Sequence, residues 1–135
     1  MKQLIIAFTL FNLFSGCNRN PNEVFVGEWN AKVYQKYDKQ LGTNPPSPTK
    51  ETTSDLEIIF REDGSALNKY PTGVSLSYTY QVTNDTLTVL GLGNVPSFKY
   101  HITKAKRREI VYEVSESGNQ LGSTFTYFTR YTLTK

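Results

Sequence analysis

The fold is decided by the stretch Gly27-Glu28-Trp29-Asn30-Ala31-Lys32-Val33. Its apolar residues occupy every second position, and polar residues fill the positions between them. Successive side chains of a β-strand point to opposite faces, so this alternation is typical of a strand with one face in the core. We therefore predict a long first strand that contributes one face to the interior.

The rest of the chain repeats the alternation in short segments separated by turn residues. Further strands are predicted at Leu56–Phe60, Ser65–Tyr70, Leu76–Val82, Leu87–Val89, Phe98–Ile102, Ile110–Val114 and Ser123–Thr134. Asn84-Asp85 predicts a tight turn, because short polar side chains tolerate positive φ. Eight strands with hairpin spacing predict an all-β fold, a small eight-stranded up-and-down antiparallel barrel in which closure removes exposed edges. An open sandwich has the same spacing and is the alternative.

One segment shows no periodicity. Gln40–Thr53 contains Pro45, Pro46 and Pro48, which exclude both a helix and a central strand. We predict a long loop there. Long loops in compact domains are often functional, and this one is expected to act as a lid over the barrel mouth.

Composition excludes several classes of function. The net charge is +3 and the charges of both signs are interspersed, so no nucleic-acid partner is indicated. His101 is the single histidine and lies between two residues expected to face inward, which places it outside. The carboxylates of Asp55 and Glu57 fall on the outward face, and no motif for a nucleophile, a phosphate loop or a metal site is present. We expect no enzymatic activity and no cofactor or metal.

The N-terminus carries a targeting signal. A short basic end precedes the apolar run Leu4–Phe14, which is too short for a transmembrane helix of roughly 20 residues and matches a signal peptide. The following Ser15-Gly16-Cys17 resembles a bacterial lipobox, and that resemblance implies that the Cys17 thiol receives a diacylglycerol. The expected organisation is a lipoprotein signal peptide at 1–16, a lipidated tether at 17–22 and a barrel domain at 23–135. A free or buried thiol after an ordinary signal is the alternative.

Gly27-Glu28-Trp29 at the start of the first strand resembles the G-x-W signature of the lipocalins and related calycin barrels. The order of lipobox, this motif and the closing Arg130–Lys135 is similar to that of the lipocalin-like lipoproteins common in Bacteroidetes. The resemblance implies that Arg130 packs across Trp29, where a guanidinium over an indole gains about 0.5–2 kcal/mol. An unpaired core tryptophan and a surface arginine form the alternative.

The last predicted strand has two apolar faces. Phe125, Tyr127, Tyr131 and Leu133 share one parity, and Phe128 and Arg130 share the other. An inward Arg130 would place Phe128 inside and the first set outside, unless a bulge reconciles the two. Both orientations stay open at this point.

Four tyrosines fall on predicted inward faces: Tyr78, Tyr80, Tyr100 and Tyr112. Their rings and hydroxyls suit a pocket for a ligand with apolar and polar parts. Ordinary core packing, with the hydroxyls bonded to the backbone, is the alternative.

The expected protein is a cell-envelope lipoprotein whose barrel binds or carries a small apolar or amphipathic molecule. A protein-interaction or inhibitor module without a cavity is the alternative. Residues 18–22 lack an acidic run, so the expected location is the outer membrane, facing the periplasm. The basic residues Lys104, Lys106, Arg107 and Arg108 form either a solvated hairpin tip or a contact with anionic headgroups.

Overall fold

The computed structural model describes residues 21–41, 49–91, 98–120 and 123–135. These ranges contain a short helix followed by strands. The elements are α1 (Pro21–Phe25), β1 (Gly27–Leu41), β2 (Lys50–Phe60), β3 (Ser65–Lys69), β4 (Ser75–Thr83), β5 (Thr86–Gly91), β6 (Phe98–Lys106), β7 (Glu109–Gln120) and β8 (Ser123–Thr134).

The strands form a closed barrel in sequence order. Each strand pairs antiparallel with the next, and β1 pairs with β8 from Asn30↔Thr134 to Leu41↔Ser123. The predicted eight-stranded up-and-down antiparallel barrel is therefore confirmed. An open sandwich is wrong, because the first and last strands are hydrogen-bonded along most of their lengths.

The predicted loop Gln40–Thr53 is too long at both ends. β1 continues to Leu41 and β2 already begins at Lys50, where it pairs with Tyr37. Pairing with β8 supports the end of β1 whatever its own sequence favours. The three prolines of the proposed lid fall within 42–48, outside the described residues, as does Cys17. The turn at Asn84 is confirmed by its φ of 54°.

The core lies at one end of the barrel, which we call the closed end. The largest fully buried side chains there are Trp29, Phe25, Phe60, Ile58, Leu87, Ile110 and Leu133. Helix α1 lies across this end. The Trp29 indole Nε1–H donates to the carbonyl of Phe25 at 2.6 Å, and the Val82 N–H donates to the Asn22 side chain at 3.0 Å. The helix starts at Pro21, two residues inside the segment expected to be the tether.

Gly27 joins helix α1 to β1. Its φ is +130°, a conformation that residues with a Cβ rarely adopt, and a Cβ there would meet Lys135 Nζ at 2.9 Å. The glycine of the motif therefore allows the chain to turn from the helix into the first strand.

The two faces of β8 are resolved. Thr129 and Leu133 are buried, and Tyr131 is half-buried on the same face, whereas Arg130 is exposed. Phe128 lies outside and packs edge-on against Tyr34, with ring centroids 6.2 Å apart. The pairing of β8 with both neighbours keeps a constant register, so no bulge in β8 is needed.

Candidate ligand-binding cavity

The barrel interior opens at the end opposite helix α1, which we call the open end. A cavity of about 630 Å³ lies there. Its lining comes from β3 to β8 and the turn after β3: Asn68, Tyr70, Ser75, Leu76, Ser77, Tyr78, Val89, Phe98, Tyr100, Tyr112 and Tyr131. The cavity forms because side chains fill only one end of the barrel, as the inward face of β4 shows. Val82 is buried in the core beneath α1, whereas Leu76, six residues away on the same face, is 53% exposed.

Three tyrosines from adjacent strands form one wall of the cavity. Tyr112 stacks on Tyr131 with centroids 4.8 Å apart and an interplanar angle of 18°. Tyr100 meets both rings edge-on, at 5.4 Å from Tyr112 and 5.7 Å from Tyr131. Such ring pairs contribute about 0.5–1.5 kcal/mol each beyond their burial, so this wall is held in place before any ligand arrives.

The polar atoms of the wall are oriented by hydrogen bonds. The Tyr78 hydroxyl donates to Asn68 Oδ1 at 2.8 Å, and Tyr100 and Tyr131 are hydrogen-bond partners through their side chains. A phenol can both donate and accept. The cavity therefore presents fixed polar groups on a largely aromatic surface.

Burial keeps these phenols neutral. Loss of water raises the pKa of Tyr78, Tyr100, Tyr112 and Tyr131 above the usual 10, and the neighbouring tyrosines raise it further for Tyr78, Tyr112 and Tyr131. Their hydroxyl groups thus remain protonated at physiological pH and can donate hydrogen bonds.

The described lining carries no ionisable acid or base besides the tyrosines. A charged group of a ligand would find no partner of opposite charge among these residues. Burial of an unpaired charge is strongly unfavourable, so the cavity favours a neutral ligand.

The structure brings together three of the four tyrosines predicted for the site. Tyr80 is the exception, because it lies deeper on β4, at the closed end. Its hydroxyl donates to the carbonyl of Arg61 at 2.9 Å, and its ring packs on Phe60 at 4.8 Å. Tyr80 therefore does not line this cavity with the other three, and its contacts match the alternative of core packing with a backbone hydrogen bond.

Sequence reasoning missed Tyr131 and Tyr70 as lining residues. The sequence did contain a signal for Tyr131, because it lies on the same face of β8 as the apolar Leu133. The expected inward position of Arg130, on the opposite face, left the orientation of β8 undecided. Tyr70 follows the last residue of β3, beside a turn, where alternation no longer predicts direction.

The predicted contact between Arg130 and Trp29 is wrong. Lys135 Nζ lies over the indole, 4.4 Å from the ring centroid. Arg130 is opposite Tyr34 in β1, pairs with Glu113 at 2.9 Å and lies over the Phe128 ring at 5.2 Å. The five positions between Trp29 and Tyr34 correspond to about 17 Å of strand, which puts Arg130 out of reach.

A second depression, of about 640 Å³, lies on the outer face of β1, β2 and β8. Its lining includes Lys32, Asp55, Glu57 and Lys69, and the last two already form an ion pair at 3.0 Å. It lacks the aromatic wall and oriented hydroxyls of the interior cavity, which is therefore the better candidate for a ligand site.

Among the described residues, the histidine and the carboxylates lie away from the cavity lining. His101 is exposed and lies 3.5 Å from Asp85, on the outer face as predicted. Within the described ranges, no group of three or more His, Cys, Asp and Glu side chains is placed to hold a metal ion. No helix in the described part of the chain is long and apolar enough to cross a membrane.

A scan of the chain against protein-family models finds no match, and a search of the curated proteins finds no similar sequence.

Proposed function

We propose that the barrel binds a small, neutral, amphipathic molecule in the tyrosine-lined cavity. The observation that carries this proposal is the cavity itself, about 630 Å³ in volume. Ligand sites in proteins are mostly apolar clefts of roughly 300–1,000 Å³ with a few fixed polar groups. The stacked wall of Tyr100, Tyr112 and Tyr131 and the polar pair Tyr78–Asn68 supply both features.

The wall chemistry indicates how the ligand would lie. Its apolar body packs against the rings of the three-tyrosine wall, and its polar end exchanges hydrogen bonds with Asn68 or the phenols. Since the described lining has no cation, a neutral alcohol, amide or ester is favoured over a carboxylate of the same size.

Binding is tested with an apolar fluorescent probe and a pair of substitutions on β5. Val89 lines the cavity, whereas its neighbour Leu90 is 48% exposed on the outside. Val89→Trp places an indole in the cavity and should weaken probe binding strongly. Leu90→Trp adds the same ring outside and should leave binding unchanged. Equal affinities of the two variants would refute the cavity as the binding site.

We also propose that the protein is a lipoprotein of the cell envelope, attached through Cys17 to the outer membrane and facing the periplasm. Support comes from Ser15-Gly16-Cys17 after a short apolar run. Metabolic labelling with a fatty acid should tag the wild-type protein and not the Cys17→Ala variant. Equal labelling of the two proteins would refute lipid attachment at Cys17.

A protein-interaction module is the second candidate. Val74, Leu76 and Phe98 are 53%, 53% and 41% exposed near the open end, which gives the mouth an apolar rim suited to a partner. The two candidates differ in their response to small molecules. If neither probes nor neutral lipids of the envelope raise the melting temperature, partner docking becomes the better proposal.

A further inference from the structure

The turn between β6 and β7 carries an unusual set of free cations. Lys106, Arg107 and Arg108 are exposed, and none of them forms an ion pair with another residue of the described ranges. Lys104, further up β6, differs because it pairs with Glu109 at the start of β7. Three neighbouring positive charges thus remain available to a partner.

This turn lies at the closed end, beside helix α1. The Lys135 N–H donates to the carbonyl of Arg108 at 3.4 Å, and a cleft between the helix and the turn is lined by Glu23, Val24, Arg107 and Lys135. The chain outside the structure joins the helix at Pro21, the first residue of α1. Cys17 precedes Pro21 by four residues, and an extended chain of that length reaches at most about 14 Å.

The other turns of the closed end have a different charge. Glu62 and Asp63 lie between β2 and β3, and Asp85 lies between β4 and β5 beside His101. Arg61 also lies in the β2–β3 turn, and Glu23 of α1 lines the cleft beside Arg107, but three consecutive cations occur at the β6–β7 turn alone.

We propose that the closed end faces the membrane and that Lys106, Arg107 and Arg108 bind anionic lipid headgroups. The proposal rests on the lipid attachment at Cys17, which would hold this end near the bilayer. Charge complementarity favours the contact with the headgroups, because each basic residue near an anionic surface strengthens binding about fivefold. The cavity, at the opposite end, then points away from the membrane that anchors the protein.

The headgroup contact is tested without the anchor, in the full mature chain carrying Cys17→Ser. Its binding is measured by sedimentation with vesicles of phosphatidylglycerol and phosphatidylethanolamine in equal parts, at low salt. The pair Arg107→Glu and Arg108→Glu should lower binding at least about 25-fold, from two cations at about fivefold each. The pair Lys50→Glu and Lys99→Glu makes the same charge change elsewhere and should have little effect.

Two results would overturn the headgroup contact: equal losses for the two variants, or equal binding of the starting chain to purely zwitterionic vesicles. Because this chain has no anchor, either result is independent of whether Cys17 is lipidated. If fatty-acid labelling fails, the lipid anchor at Cys17 is refuted, and the headgroup contact is not.

Orientation is tested in the lipidated wild type, whose only tryptophan, Trp29, is at the closed end. Energy transfer from Trp29 to an acceptor on lipid headgroups should exceed transfer from a tryptophan at the open end, made as Leu76→Trp with Trp29→Phe. Transfer that is equal, or stronger from position 76, would refute the orientation.

Discussion

Phe25→Ala tests whether helix α1 holds the closed end of the barrel together. Phe25 is fully buried, and its ring meets Phe60 edge-on at 5.3 Å and Tyr112 at 6.4 Å. Its carbonyl also accepts the hydrogen bond from Trp29, which the substitution leaves intact. The change therefore removes packing alone from the joint between the helix and the core.

The magnitude follows from the atoms lost. Full burial of a phenylalanine side chain stabilises by about 1.5–3 kcal/mol. A residual void of about 100 Å³ adds roughly 2 kcal/mol, at about 24 cal/mol for each Å³. Partial collapse of the site reduces the sum, so we expect the free energy of unfolding to fall by about 3–5 kcal/mol.

The assay is equilibrium unfolding in urea, followed by the fluorescence of Trp29, which is buried beside the helix. Phe128→Ala is the matched control, because it removes the same ring from the outer face, where it contacts Tyr34 and Arg130. That control should cost about 1 kcal/mol or less, as is usual for surface positions. Similar losses for the two variants would refute the idea that the helix closes the core.

Three further predictions concern the cation over Trp29, the buried phenols and the junction glycine. In double-mutant cycles with Trp29→Phe, Lys135→Ala should show a coupling of about 0.5–1 kcal/mol, whereas additivity is expected for Arg130→Ala. The contribution of Tyr112 to stability should be constant below pH 10 and be lost above it, because an unfolded tyrosine ionises there while the raised pKa of Tyr112 keeps it neutral in the fold. Tyr112→Phe should make the fall in stability above pH 10 shallower in denaturation at stepped pH, and an unchanged slope would contradict the assignment. Gly27→Ala should cost about 1–3 kcal/mol from backbone strain alone, and a neutral result in thermal unfolding would count against the φ of +130°.

Sequence patterning predicted the architecture well because each strand carries its own signal. Alternation gave the strands, and short polar turns such as Asn84-Asp85 gave the connections. The ends of β1 and β2 were missed, because pairing of Lys50 with Tyr37 and of Gln40 with Thr124 extends them into a region that reads as loop. The local sequence preference of these residues does not reveal that pairing with distant strands stabilises them.

The candidate site was predicted in part, because alternation specifies a face and not a depth. Tyr78 and Tyr80 lie on the same face of β4, yet only Tyr78 reaches the cavity. The difference arises from helix α1, which fills one end of the barrel, and nothing in the periodicity of β4 records it. The contact of Lys135 with Trp29 could not be predicted for a similar reason. It depends on the register of β8 against β1, which places the end of the chain beside Trp29.

The pairing of β1 with β8 has a consequence for the order of folding. Asn30 finds Thr134, its partner, only when nearly the whole chain is present, and such distant pairings make β-proteins fold slowly. Until then, β1 and β7 each present an unpaired edge, the kind of surface on which chains aggregate. The N-terminal part of this chain therefore remains an incomplete sheet until the last dozen residues pair with it, and during this interval the protein is most prone to aggregate with other unfolded chains.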